Sequence, residues 1–245
     1  MAGTLPVNQD GALQPEEERS WLHYLAEISL RSIMNRVLAG LYAGGEAQWL
    51  SAGSTLLHRQ AACLEDLESW HTHLPPQLAF PSPITATPGG PVMPAPNELS
   101  FFLMTRYVGV LEWIHRPFLY VVLHTGAGVP ILPQVWCLAQ RALDASAALI
   151  RLVAAQHRHG GIWGLARRSF GASVALLAAV RAFGSPGCAP RRPRLELPGD
   201  YAGLVRLSLV TIKLWGGEGA ADLKRMYGIL EGMLQEVQSL GIGSN

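Results

Sequence analysis

The chain has 245 residues, 49% hydrophobic and 15% charged, with a formal net charge of +1. That length allows one large domain with a substantial core, and the charge balance offers no basic excess for nucleic acid. The longest uncharged apolar stretches, such as residues 170–180, fall short of the roughly 20 residues that span a bilayer.

The opening "MAGTLPVNQDGALQPEEERS" has neither the basic nor the apolar region of a signal peptide. The expectation is therefore a soluble intracellular protein. Residues 1–14 read as a flexible N-terminus. Pro15 followed by Glu16, Glu17 and Glu18 then opens a helix, with proline in the first turn and acid at the positive dipole end. Leu30, Ile33, Met34, Val37, Leu38 and Leu41 recur at helical spacing, and Gly44-Gly45 ends the run. A second seam follows through Leu56, Gln60, Cys63, Leu67, Trp70 and Leu74, stopped by Pro75-Pro76.

Residues 75–97 are dominated by proline. Such a segment cannot hold helical hydrogen bonds and has little to pack, which predicts a surface insertion. Asn97 followed by Glu98 is an N-cap signal for a helix carrying Phe101, Phe102, Val108, Leu111 and Leu119. Pro130 and Pro133 start an alanine- and leucine-rich helix that the pattern carries to about His159. Gly160-Gly161 break it before a helix over 162–183. Residues 184–200 form a Pro/Arg loop with Arg191, Arg192 and Arg194, and helices near 201–215 and 219–240 close the chain. No run alternates with period 2, and no repeat recurs. The fold class predicted is all-α: one irregular bundle of about seven or eight helices over 15–240, with a Pro-rich insertion.

Cys63, Cys137 and Cys188 lie too far apart for a CxxC site or a disulfide framework and are expected to be buried, reduced thiols. There is no GxSxG, HExxH, P-loop or strand-linked GxGxxG. No cofactor or metal is predicted.

Five segments carry the resemblance this sequence shows. "EERSWLHYLAEISLRSIMNRVLAGLY" (residues 17–42), "LEDLESWHTHLPPQLAF" (64–80) and "RYVGVLEWIHRPFLY" (106–120) resemble the regulatory region of fungal binuclear zinc-cluster transcription factors, often called the middle homology or fungal-specific transcription factor domain. "HRHGGIWGLARRSFGASVALLAA" (157–179) and "IKLWGGEGAADLKRMYGILEGML" (212–234) are similar to its C-terminal part. The resemblance implies an all-α region that controls activity through a small-molecule effector or a protein partner. The six-cysteine cluster by which that family binds DNA is not in this sequence, so direct DNA binding is not expected of it. The chain then reads as a truncated regulator or a stand-alone descendant of the regulatory domain. The function implied is a transcription-regulator-like effector and interaction domain acting on a fungal metabolic or secondary-metabolite pathway, in the nucleus or alternatively the cytoplasm. The alternative is the same scaffold repurposed as a small-molecule binder or a cofactor-independent enzyme of the cyclase or isomerase type.

Within that frame "WIHRPFLYVVLH" holds the residues with most chemistry. Pro117 removes the N–H that would bond the Trp113 carbonyl, and Arg116 can pair with Glu112 at i, i+4. That is first an architectural device, a proline-kinked core helix. If the chain has a ligand, His115, Arg116, Glu112, Arg168 and Trp163 are the candidate binding residues, with histidine as a base and arginine for an acidic or carbonyl group. Arg167-Arg168 otherwise reads as a solvated helix edge. His71-x-His73 and His157-x-His159 project in different directions from a helix and imply no chelate. The seven tryptophans, Trp21, Trp49, Trp70, Trp113, Trp136, Trp163 and Trp215, are expected mostly in the core.

Overall fold

Helix α1 (Pro15–Val37) begins with Glu16, Glu17 and Glu18 in its first turn, as their dipole preference dictates. The computed structural model describes residues 15–51, 53–82, 84, 95–126, 129–155, 162–184, 195–215 and 220–240. Among them lie eight α-helices and no strand. The predicted flexible terminus (1–14), Cys188, the His157-x-His159 pair and the Arg191, Arg192 and Arg194 cluster lie outside the described residues.

The first helix buries Ala26, Leu30, Ile33 and Val37, then widens into a π-helical turn, Leu38–Tyr42. Leu41 is fully buried, while Leu38 departs from the predicted stripe at 41% exposed, because it sits about 100° round the helix from the buried face. Side-chain donors from the next two helices reach carbonyls of this turn. Arg59 Nη1 donates to the Gly40 carbonyl at 3.1 Å, and Trp49 Nε1 to that of Leu41 at 2.5 Å. Gly45 adopts φ +64°, a conformation that costs an L-side chain but not glycine. It turns the chain into α2 (Gly45–Ser51), whose Trp49 is buried. The sequence reading ended the first helix at Gly44-Gly45 and assigned no helix here.

Helix α3 (Gly53–Thr72) buries the predicted Leu56, Gln60, Cys63 and Leu67. It is tied to α1 by Trp70 Nε1, which donates to Ser29 Oγ at 3.0 Å, and by the Arg36–Asp66 ion pair at 2.9 Å. The proline segment corrects the expectation that it has little to pack. Leu78 and Phe80 sit in the core. A tight turn places them: the Leu78 N–H donates to the Pro75 carbonyl at 2.8 Å. Asn97 caps α4 (Glu98–His124) as predicted, accepting from the Ser100 N–H at 2.9 Å. Its Nδ2 also donates to the Gln77 carbonyl at 3.0 Å, holding both ends of the proline segment together.

Helix α4 is the axis of the molecule: α1, α2, α3, α5 and α6 all pack on it. Its broadest contact is α5 (Pro133–Ala154), which starts on proline as predicted and ends earlier than the expected His159. Ala139, Ala142 and Ala145 are fully buried on α5, and such short side chains let two backbones approach closely. Helices α6 (Ile162–Gly184), α7 (Tyr201–Trp215) and α8 (Ala221–Ser239) complete the bundle. Ser169, Ser173 and Ser208 are fully buried between α6 and α7, where their hydroxyls satisfy one another at 2.7 Å. No helix among the described residues is long and apolar enough to cross a membrane.

Two burial expectations are corrected. Cys137 is exposed, because it lies at the open groove between α3 and α5, beside buried Trp136 and Leu138. Trp21 is 41% exposed, because α1 turns a different face to the core.

Candidate functional site

Proline at position 117 leaves the Trp113 carbonyl without its helical N–H, and α4 continues through it to His124. The freed carbonyl is taken by the Tyr42 hydroxyl, which donates to it at 2.7 Å. Tyr42 is the last residue of the π-helical turn. The widened turn and the helical proline thus meet through one hydrogen bond. Burial, followed by the Glu112 charge, holds the Tyr42 phenol well above its usual range.

Glu112 and Arg116 form the i, i+4 pair that the spacing predicts. Arg116 Nε and Nη2 reach the two Glu112 oxygens at 2.7 and 2.8 Å. Glu112 is 1% exposed and Arg116 32% on their side chains, so the carboxylate is the buried end of the pair. Burial pushes the Glu112 pKa up, opposed by the charge and hydrogen bonds of Arg116 and by the charge of Arg168. For Arg116, burial favours the neutral form, and Glu112 more than offsets it. Ser146 Oγ has no partner at hydrogen-bonding geometry, yet it lies close enough to Glu112 to ease the carboxylate charge.

The two candidate arginines interlock α4 with α6. Arg116 lies against Gly171, where an added Cβ would meet Nη2 at 3.1 Å. Arg168 lies against Gly109, where an added Cβ would meet Nη1 at 3.2 Å. Arg168 is therefore packed between helices rather than on a solvated edge, the outcome that corrects its plain surface reading. Its guanidinium sits 5.7 Å from the Trp113 ring centroid, in cation–π contact. Burial, followed by the charge of Arg106, pulls its pKa down. Arg167, its neighbour, does face outward and pairs with Asp222 at 3.1 Å.

His115 does not join this group. It is 2% exposed, and its Nδ1 donates to the Leu111 carbonyl at 2.7 Å. A carbonyl only accepts, so Nδ1 carries the proton and Nε2 is a bare, buried lone pair without a partner. Burial lowers its pKa to about 4, with the Arg141 charge acting in the same direction. A ring this buried and this weakly basic is poorly placed to take a proton from a ligand. Trp163 lies in the first turn of α6, and its side chain lies outside the described residues.

Among the described residues, grooves also lie elsewhere. One, of about 400 Å³, runs between α1 and α4 and is lined by His23, Tyr24, Glu27, Ile28, Arg31, Phe102 and Arg106. Arg106 pairs with Glu27 there at 2.6 Å. Another, of about 350 Å³ between α3 and α5, is lined by Gln60, Glu65, Glu68, Cys137 and Arg141 among others. Among the described residues no three His, Cys, Asp or Glu side chains are grouped to hold a metal ion. His71 and His73 serve the chain instead: His71 Nε2 is 3.0 Å from the Phe80 carbonyl and His73 Nδ1 is 2.7 Å from that of Ser69. Sequence reasoning missed Tyr42 and the outer face of α1. The second was there to be found as Trp21, Tyr24, Leu25 and Ile28 at i, i+3, i+4 and i+7. Comparison of the chain with family models, curated proteins and solved structures gives no match.

Proposed function

We propose that this chain is a regulator-like interaction domain acting on the expression of a metabolic or secondary-metabolite pathway. The observation that carries this reading is the contrast between the two regions of interest. The Glu112–Arg116–Tyr42–Trp113 group spends its polar atoms on itself, whereas α1 presents four large apolar side chains outward. Self-satisfied polar groups stabilise a scaffold, and contiguous exposed apolar surface marks contact with another macromolecule. The enzyme alternative needs His115, Arg116 or Arg168 to reach a reacting atom. His115 is 2% exposed, Arg116 is committed to Glu112, and Arg168 lies on an aromatic face.

The test is deletion of the gene with transcript and metabolite profiling, followed by complementation with wild type and with Tyr24→Glu/Ile28→Glu. A coordinated transcript change that wild type restores and the double variant does not is the expected result. Unchanged transcripts with one accumulating intermediate would overturn the proposal in favour of an enzyme.

A further inference from the structure

The groove between α3 and α5 exists because both helices pack on α4 but scarcely on each other. Its volume, about 350 Å³, lies at the lower end of the ~300–1,000 Å³ range of small-molecule sites. Helix α3 contributes Gln60, Leu64, Glu65 and Glu68, and α5 contributes Leu138 and Arg141. Gln60 sets this groove apart. It is 3% exposed, yet among the described residues its side-chain amide has no hydrogen-bond partner. Nor are its amide atoms sealed in the core: what exposure the residue keeps opens on the groove. Buried amides ordinarily spend their donors and their acceptor within the fold. An unpaired one at the floor of a groove points to a ligand.

The walls of the groove carry opposite charge. Glu65 and Glu68 stand on α3 and Arg141 on α5, and among the described residues none of the three is in an ion pair. The charges therefore line one groove without closing on each other. A purely anionic ligand would be repelled by the α3 wall, and a purely cationic one by Arg141. A ligand with both an ammonium and a carboxylate suits both walls. The glutamates attract the ammonium, and the planar guanidinium can take the carboxylate at two points. In a single amino acid both charges sit on one carbon, with no amide between them. Each further residue separates them by about 3.5 Å and adds a peptide bond. A side-chain amide can both donate to that group and accept from it. Leu64 and Leu138 add apolar surface for an aliphatic side chain.

We infer that the groove between α3 and α5 binds a zwitterionic di- or tripeptide, with its ammonium against Glu65 and Glu68, its carboxylate on Arg141 and a peptide bond on Gln60. This goes beyond the proposed function, which rests on the α1 face, so either can fail while the other stands.

Isothermal titration of the full chain with Gly-Leu-Gly, its N-acetylated form and its C-amidated form tests it. The uncapped tripeptide should bind, and each cap should weaken binding about tenfold or more, the loss for one contact to a charged group. Arg141→Gln should erase the difference between uncapped and amidated peptide. Glu65→Gln/Glu68→Gln should erase that between uncapped and acetylated peptide. These three positions are exposed, so the variants should keep the helical circular dichroism of wild type. Gln60→Met, close in volume, should weaken all three peptides alike. Bound peptide should also slow alkylation by iodoacetamide of Cys137, which lines the same groove, as read by peptide mass mapping. An uncapped tripeptide that does not bind would overturn the inference. So would capped peptides that bind equally well, an amidation effect that survives Arg141→Gln, or Cys137 alkylation that the peptide leaves unchanged.

Discussion

The Tyr42 hydroxyl donates at 2.7 Å to the Trp113 carbonyl, the one carbonyl that Pro117 deprives of its helical N–H. A proline in a helix interior ordinarily leaves such a carbonyl to water. Here a side chain from the π-helical turn after α1 supplies the donor across 71 positions of sequence. Tyr42 also touches the Trp49 ring edge-on at 5.3 Å, which fixes the phenol in place. The proline therefore creates a docking point for the N-terminal helices on α4.

That relationship makes the two substitutions non-additive. Tyr42→Phe should cost about 1–3 kcal/mol, the range for leaving a buried acceptor unpaired. Pro117→Ala returns an N–H to the Trp113 carbonyl, so in that background the loss from Tyr42→Phe should fall markedly. Urea unfolding of the four proteins measures the coupling. Equal losses in both backgrounds would show that the hydroxyl does no such work.

His115 should make stability depend on pH. Its pKa in the fold is about 4 against 6.5 for the free side chain. Between those values the unfolded chain binds a proton that the folded chain does not, so stability is complete above pH 6.5 and is lost as pH falls toward 4. The total is roughly 3 kcal/mol at about 1.4 kcal/mol per pH unit. His115→Leu removes the titration and the bare Nε2. Its stability should fall less steeply than that of wild type over that window, and parallel curves would refute the assignment.

Two glycines on the α4–α6 contact should respond differently to a methyl group. Replacing a mid-helix glycine with alanine gains about 1 kcal/mol from helix propensity alone. At Gly109 the added Cβ meets Arg168 Nη1 at 3.2 Å, the far end of a side chain held by an aromatic face and able to shift. Gly109→Ala should raise the melting temperature. At Gly171 the Cβ meets Arg116 Nη2 at 3.1 Å, and that guanidinium is fixed by two hydrogen bonds to Glu112. Gly171→Ala should lower the melting temperature or leave it unchanged. A gain of the same size at both positions would mean that Arg116 is not rigidly held.

These cases show which features a sequence exposes. The Glu112–Arg116 pair was legible because both partners lie on one helix at i, i+4, and the Asn97 cap because its partner is three residues away. The seams of α1 and α3 were legible because each spans several turns with one consistent period. Helix α2 has seven residues, too few turns for periodicity to register. The π-helical turn was hidden because nothing in the spacing of Leu38 and Leu41 distinguishes it from an ordinary helical turn. Leu78 and Phe80 were hidden by the prolines around them, which forbid a helix but not burial. Arg168 on Trp113 and Tyr42 on the Trp113 carbonyl join distant segments, and no local spacing announces them.

The buried pair itself gives the strongest expectation. Arg116→Met keeps much of the side-chain volume and leaves the Glu112 carboxylate, 1% exposed, without its ion-pair partner. An uncompensated buried charge costs about 3–5 kcal/mol, so the variant should be strongly destabilised near pH 7. Burial already raises the Glu112 pKa, and Arg116 is the largest influence holding it down. Without the arginine the folded-state pKa rises further above its unfolded value. The folded chain then holds a proton that the unfolded chain releases, and stability decreases as pH rises through that window. The penalty is therefore complete above the folded pKa and disappears below the unfolded one. Denaturant unfolding of wild type and variant at pH 7 and pH 5 reads this directly: the gap between them should narrow at the lower pH. A gap of constant size would mean that Glu112 is not the charge Arg116 neutralises. Arg116→Lys, which keeps the charge but not the two-point geometry, should recover part of the loss at pH 7 and show a weaker pH dependence than Arg116→Met.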